Sequence, residues 1–105
     1  MEKPNLSYIE KLSKGDVSFQ KDILNIVKEE LQVEIDNYYT YFKAKDFKKA
    51  KVFVHRIKHK MSILSLEKSY EITNSFENDL RESNFKHQKY FESMLPVMTN
   101  YLKTL

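Results

Sequence analysis

The chain has 105 residues, which is enough for one domain, residues 1–105, and too few for a second hydrophobic core. It contains no cysteine, so no disulfide can stabilise it. Its charged start and the lack of any uncharged apolar run of about 18 residues exclude a recognisable signal peptide and a membrane span. We therefore expect a soluble, cytoplasmic protein. One glycine and two prolines leave little material for tight β turns, which indicates an all-α fold. The formal net charge of +3 makes the chain mildly basic.

Turn-like breaks divide the chain into one short helix and four longer ones. The breaks lie at residues 13–16, at residues 44–46, around Ser65 and at residues 82–84. They predict helices over roughly residues 5–13, 17–43, 46–64, 67–83 and 85–104. The candidate N-caps are Asp16 or Ser18, Asp46 and Asn84. Pro96 lies inside the last segment and is expected to kink or split that helix.

Each long segment carries apolar side chains at helical spacing, which predicts one buried face per helix. The expected core residues are Ile23, Ile26 or Val27, Leu31, Ile35, Tyr38 and Phe42; then Ala50, Val54, Ile57, Met61 and Leu64; then Leu66, Tyr70, Thr73, Phe76 and Leu80; and finally Met94, Leu95, Met98, Tyr101, Leu102 and Leu105. Narrow stripes joined by short connections predict an antiparallel four-helix bundle with a short extra N-terminal helix. We expect this bundle to be a monomer.

Positive charge concentrates between residues 43 and 60, where eight lysines and arginines face a single acid, Asp46. Such a local field indicates an anionic partner: nucleic acid, phosphate or an acidic pocket on another protein. The basic residues spread around the predicted helix, and no aromatic residue alternates with them on its exposed face. We therefore do not expect a nucleic-acid interface, although it stays an alternative.

Two histidines stand four residues apart in the stretch VHRIKHKMSIL, residues 54–64. On a helical wheel of about 100° per residue, His55 lies about 150° from the core direction, so we expect it to face solvent. Its predicted neighbours on that face are Lys48, Lys51, Val52, Lys58, His59 and Ser62. A neutral imidazole is a nucleophile, and nearby ammonium groups favour a phosphorylated product. Zinc is a weaker interpretation and we predict no metal site, because His55 and His59 have no cysteine or third histidine nearby.

The stretches LSKGDVSFQKDILNIVKEEL and DFKKAKVFVHRIKHKMSILSLEKSYEITNSFEND lie within residues 6–83. They resemble the histidine-containing phosphotransfer (HPt) domain, the small helical bundle that relays phosphoryl groups in two-component signalling. The shared pattern is a short helix, a Gly-Asp turn, a long amphipathic helix and an Asp-led helix with a His-x-x-Lys element. By this resemblance His55 would be the phosphoacceptor and Lys58 the lysine that stabilises phosphate. His59 and Ser65 stand where the family commonly has glycine.

The resemblance implies a phosphocarrier and not an enzyme in its own right. A response-regulator receiver would pass its aspartyl phosphate to His55, His55 would pass it to a second receiver, and a hybrid sensor histidine kinase would act upstream. The receiver would supply Mg²⁺, so this chain needs no cofactor of its own. The docking surface would comprise Lys48, Lys51, Val52, His59 and Ser62, and its charge would steer the receiver's acidic pocket. A degenerate docking or scaffold module without phosphotransfer is an alternative.

Overall fold

Five α-helices and a single 3₁₀ turn account for the regular structure of the chain, and no strand is present. The computed structural model describes residues 1–105. The helices are α1 (Ser7–Ser13), α2 (Val17–Lys43), α3 (Phe47–Ile63), α4 (Glu67–Asp79) and α5 (Gln88–Lys103), and the 3₁₀ turn Leu80–Glu82 extends α4. The predicted all-α class is therefore confirmed. No helix combines the length and the apolar character that crossing a membrane requires.

Aspartate side chains start the two longest helices. Asp16 accepts a hydrogen bond from the backbone N–H of Phe19 at 3.1 Å, and Asp46 accepts one from Lys49 at 3.2 Å. Each bond satisfies an N–H group that would otherwise have no partner in the first turn. The prediction of these two caps is confirmed.

Left-handed residues other than glycine end four helical segments. Lys14, Lys45, Ser65 and Ser83 have φ angles of 52°, 59°, 63° and 53°. After α3, for example, the N–H of Leu66 bonds the carbonyl of Met61 at 2.9 Å, which is the six-to-one bond of a Schellman motif. The predicted breaks near residues 45, 65 and 83 therefore correspond to real helix ends.

The start of the last helix differs from the prediction. The side chain of Asn84 accepts from the N–H of Lys86 at 3.0 Å and so closes a local turn instead of capping a helix. The helix begins only at Gln88, and the prediction of an Asn84 cap is wrong. Pro96 lies inside α5, which runs through it without being split.

The helices surround a single hydrophobic core. Helix α2 packs on α3 and α5, α4 packs on the same two helices from the other side, and α1 contacts α2 and α3. The predicted stripes of α3 and α4 are confirmed by the burial of Ala50, Val54, Ile57, Met61, Leu64, Leu66, Thr73, Phe76 and Leu80, although Tyr70 is only partly buried. In α2 the buried alternative is Val27, because Ile26 is 54% exposed, and the predicted burial of Leu105 is wrong because it is 46% exposed.

The first residues cross the connection between α3 and α4. The Glu2 carboxylate accepts hydrogen bonds from the N–H groups of Lys68 and Ser69 at 2.9 and 2.7 Å. Asn5 donates its N–H to the carbonyl of Leu64 at 3.0 Å. Burial alone would raise the pKa of Glu2, but the bonds from Ser69 and Lys68 outweigh it and lower the pKa below 4.5. The N-terminal segment is thereby attached to the start of the helix that faces His55.

Candidate functional site

His55 lies on the solvent side of α3, and 50% of its side chain is exposed. The stripe residues of the same helix, such as Val54 and Ile57, are completely buried on the opposite side. The predicted exposure of His55 is therefore confirmed. The ring is nevertheless held in place, because Nδ1 lies 3.0 and 3.1 Å from the two carboxylate oxygens of Glu77.

Glu77 comes from α4 and contacts two functional side chains of α3. Its Oε1 atom lies 3.0 Å from Nζ of Lys58, while Oε2 lies 3.0 Å from Nδ1 of His55. Lys58 also donates to Oδ1 of Asn74 at 2.9 Å. The Glu77 side chain is 12% exposed, so solvent and salt screen its charge less than that of a surface acid. Its carboxylate links the histidine to the lysine across the two helices.

This contact determines which nitrogen of His55 is available for chemistry. A carboxylate paired with an ammonium group is ionised and only accepts hydrogen bonds, so Nδ1 of His55 must donate its proton to Glu77. In the neutral ring the other nitrogen, Nε2, then carries the lone pair. A carboxylate at Nδ1 also stabilises positive charge that develops on the ring when Nε2 forms a bond, as in other carboxylate–histidine pairs.

His59 lies one turn further along α3 and approaches that second nitrogen. The two Nε2 atoms are 3.0 Å apart and the ring planes are tilted by 77°. Partial burial, followed by the nearby charges of His55 and Lys58, lowers the pKa of His59 below 6.5. The ring of His59 is therefore mainly neutral at pH 7 and has one N–H group to donate.

A shallow pocket of about 270 Å³ lies beside His55. It is lined by Lys48, Lys51, Val52, His55, Arg56 and Glu77. Three cationic side chains thus surround a space next to the imidazole, together with the exposed apolar side chain of Val52. Such a rim favours a dianionic group such as phosphate. Of the predicted docking residues, Lys48, Lys51 and Val52 share this pocket with His55, whereas the half-buried Ser62 does not line it.

The solvent-facing position predicted for Lys58 is wrong. The side chain is 6% exposed, and Nζ lies between Glu77, Asn74 and the ring of Tyr70, whose centroid is 5.3 Å away. On the helical wheel Lys58 is only about 90° from the core direction, so its long stem folds along the groove between α3 and α4. Lys58 therefore affects His55 indirectly, through the Glu77 carboxylate that contacts both side chains.

Lys60 is also removed from the basic surface. Its side chain is 9% exposed, and its ammonium group lies 2.9 Å from Glu34 and 3.2 Å from Glu30, both on α2. Two of the eight cationic residues between positions 43 and 60 are therefore neutralised by acids of neighbouring helices. The remaining field near His55 comes mainly from Lys48, Lys51 and Arg56.

Reasoning from the sequence did not single out Glu77 or Asn74 as site residues. A signal was present: both lie on the edge of the α4 stripe, adjacent to the buried residues Thr73 and Phe76. Side chains three residues apart lie on the same side of a helix, so an acid and an amide beside a buried stripe both face the neighbouring helix. Polar groups at such a partly buried position require a hydrogen-bond partner or an opposite charge on that helix.

No group of three or more histidine, cysteine, aspartate or glutamate side chains is arranged to hold a metal ion. Comparison of the chain with protein-family models, with curated proteins and with solved structures gives no significant match.

Proposed function

We propose that this chain is a phosphorelay intermediate of the HPt type, which accepts a phosphoryl group on Nε2 of His55 from a receiver aspartate and passes it to another receiver. In this proposal the five helices form an antiparallel four-helix bundle, α2 to α5, with α1 as the extra N-terminal helix. The protein works as a monomeric carrier in the cytoplasm. It is not an enzyme in its own right.

One observation carries the proposal: the exposed imidazole of His55 has its Nδ1 held by a carboxylate, and the same residue lines a pocket whose rim carries three cationic side chains. A surface histidine without a role needs no such partner. Orientation by a second group is the usual mark of an activated nucleophile.

In the transfer step, one bond to phosphorus replaces another. The lone pair of His55 Nε2 forms a bond to phosphorus as the bond between phosphorus and the receiver's aspartyl oxygen breaks, and that carboxylate leaves with the electron pair. The imidazole ring becomes cationic, and Glu77 stabilises it through the Nδ1 proton. Mg²⁺ belongs to the receiver and offsets the charge of the phosphoryl oxygens.

Lys58 has a modified role in this proposal. Because its ammonium group is paired with Glu77 and Asn74, it positions the carboxylate that orients His55. The cations that meet the phosphoryl group and the acidic receiver are those of the pocket rim, Lys48, Lys51 and Arg56.

The test is phosphotransfer from several receivers that carry radioactive aspartyl phosphate. Wild-type protein and a His59→Gln variant should acquire label that is lost in acid and kept in base, as expected of a phosphoramidate. The His55→Gln variant should acquire none. A His87→Gln variant serves as the matched control, since His87 lies before α5 and outside the pocket.

Label that persists in His55→Gln and disappears in His59→Gln would overturn the assignment of the acceptor. Stable receiver binding without label in any variant would favour the docking or scaffold module. Salt-dependent binding to DNA, without receiver binding, would favour the nucleic-acid alternative.

A further inference from the structure

Nε2 of His55, the nitrogen available for chemistry, is already engaged by another side chain of the same helix. Nδ1 of His55 donates to Glu77, so in the neutral ring Nε2 can only accept. The nearest polar atom is Nε2 of His59 at 3.0 Å, which must therefore be the donor. The lone pair that would attack phosphorus consequently points at an N–H group.

We propose that His59 is a positioning residue that covers Nε2 of His55 in the resting protein, and that its ring must turn away before a phosphoryl group is accepted. This inference rests on the proposed function, because it concerns the same nitrogen. It assigns a role to a residue that stands where the resemblance leads us to expect glycine.

The two rings differ in how firmly they are held. His55 is fixed at Nδ1 by both oxygens of Glu77. His59 is exposed, and its closest aromatic neighbour besides His55 is Tyr70, with ring centroids 6.3 Å apart. Rotation about the side-chain bonds of His59 therefore moves this ring toward solvent while His55 keeps its orientation.

The charges around His59 favour its neutral form, and a neutral ring protonated at Nε2 still donates to His55. Lys58 and Lys60 on its own helix, together with the ring of His55, oppose a positive charge on His59, while Glu77 on α4 favours one. If both rings were doubly protonated, two N–H groups would point at each other across 3.0 Å. The neutral pair with one shared N–H is the arrangement that avoids this repulsion.

The test uses phosphoramidate, a small donor that phosphorylates imidazole without a protein partner. His55 Nε2 forms a bond to phosphorus as the phosphorus–nitrogen bond breaks and ammonia leaves. Removing one net hydrogen bond from the attacking nitrogen should raise its reaction rate about 2- to 12-fold. We therefore expect His55 in a His59→Ala variant to react faster by that factor, while His87 in the same molecules provides the internal reference rate.

Phosphohistidine at each position is quantified by mass spectrometry at early times. An unchanged or lower ratio of His55 to His87 reaction in His59→Ala would overturn the proposal. A second measurement needs no variant: long-range ¹H–¹⁵N spectra of the wild type at pH 7.5 should show the Nδ1–H form of His55 and the Nε2–H form of His59. An Nε2–H form of His55 would equally overturn it.

The two proposals fail separately. If no receiver labels His55 but His59→Ala accelerates its reaction with phosphoramidate, the relay function is wrong and the covering role stands. If receivers label His55 and the substitution leaves the phosphoramidate rate unchanged, the covering role is wrong and the relay function stands.

Discussion

Replacing Glu77 by glutamine removes the negative charge that joins α4 to two residues of α3. The Glu77→Gln side chain keeps its size and one carbonyl oxygen, so the packing around it is preserved. What changes is electrostatic: the ammonium group of Lys58 stays in place, and only neutral oxygens, such as that of Asn74, remain to accept from it. We expect the folded protein to become less stable.

The magnitude follows from burial. Side-chain exposures of 6% for Lys58 and 12% for Glu77 make this a largely buried pair with a 3.0 Å contact. Removing one partner of a fully buried pair costs about 3–5 kcal/mol, and a hydrogen bond to a charged group contributes about 1.5–3 kcal/mol. Because Asn74 still accepts a hydrogen bond from Lys58, we expect the free energy of unfolding to fall by about 3 kcal/mol, the value at which the two ranges meet.

The assay is urea-induced unfolding, followed by far-UV circular dichroism, of Glu77→Gln, Lys58→Met and the double variant. Lys58→Met should restore part of the stability in the Glu77→Gln background, since no buried cation is then left without its acid, and the cycle should give a coupling energy above about 1 kcal/mol. Glu71→Gln is the matched control, because Glu71 is an exposed glutamate on the same helix. A loss below about 0.5 kcal/mol for Glu77→Gln would refute the reasoning.

Three further predictions concern the core, the basic rim and the N-terminal segment. Met61→Ala or Leu64→Ala should each cost about 2–5 kcal/mol in urea unfolding, because both side chains are fully buried; a change near zero would contradict the packing. The double variant Lys48→Ala, Lys51→Ala should associate with a receiver more slowly in stopped-flow measurements, and the difference should shrink as salt rises; equal rates at low salt would exclude steering. Glu2 has a lower pKa in the folded chain than its ordinary 4.5, so its contribution to stability is complete above pH 4.5 and is lost as the pH falls through the folded value. The stability difference between wild type and Glu2→Gln in urea unfolding should therefore be larger at pH 7 than at pH 3, and an equal difference at both pH values would contradict this role.

The helices were largely predictable because their signals are local. Aspartate caps and residues that tolerate left-handed conformations mark where α2 and α3 begin and end, and one buried stripe per helix marks the core. Asn84 misled the prediction because the same side-chain oxygen that caps a helix can also close a turn, and the choice depends on the chain that follows.

The site was only half predictable, for a geometric reason. A helical wheel ranks residues of one helix by direction, so it correctly placed His55 toward solvent. It contains no information about which residues of α4 lie opposite α3. The partners of Lys58 and Lys60 come from two different helices, and their acids neutralise charge that the sequence alone assigns to the surface.

The bonds from Glu2 have a practical consequence for experiments on this protein. Helix α4 begins after Leu66, which has no side-chain cap, so the carboxylate of Glu2 supplies the missing acceptor from the far end of the chain. When the first residues detach, the amide protons of Lys68 and Ser69 lose that protection and should exchange with deuterium before the middle of the helix does. A tag fused directly ahead of Met1 lies next to the Glu2 bonds to the first turn of α4, the helix that also carries Glu77. A C-terminal tag is therefore the safer choice for studying His55.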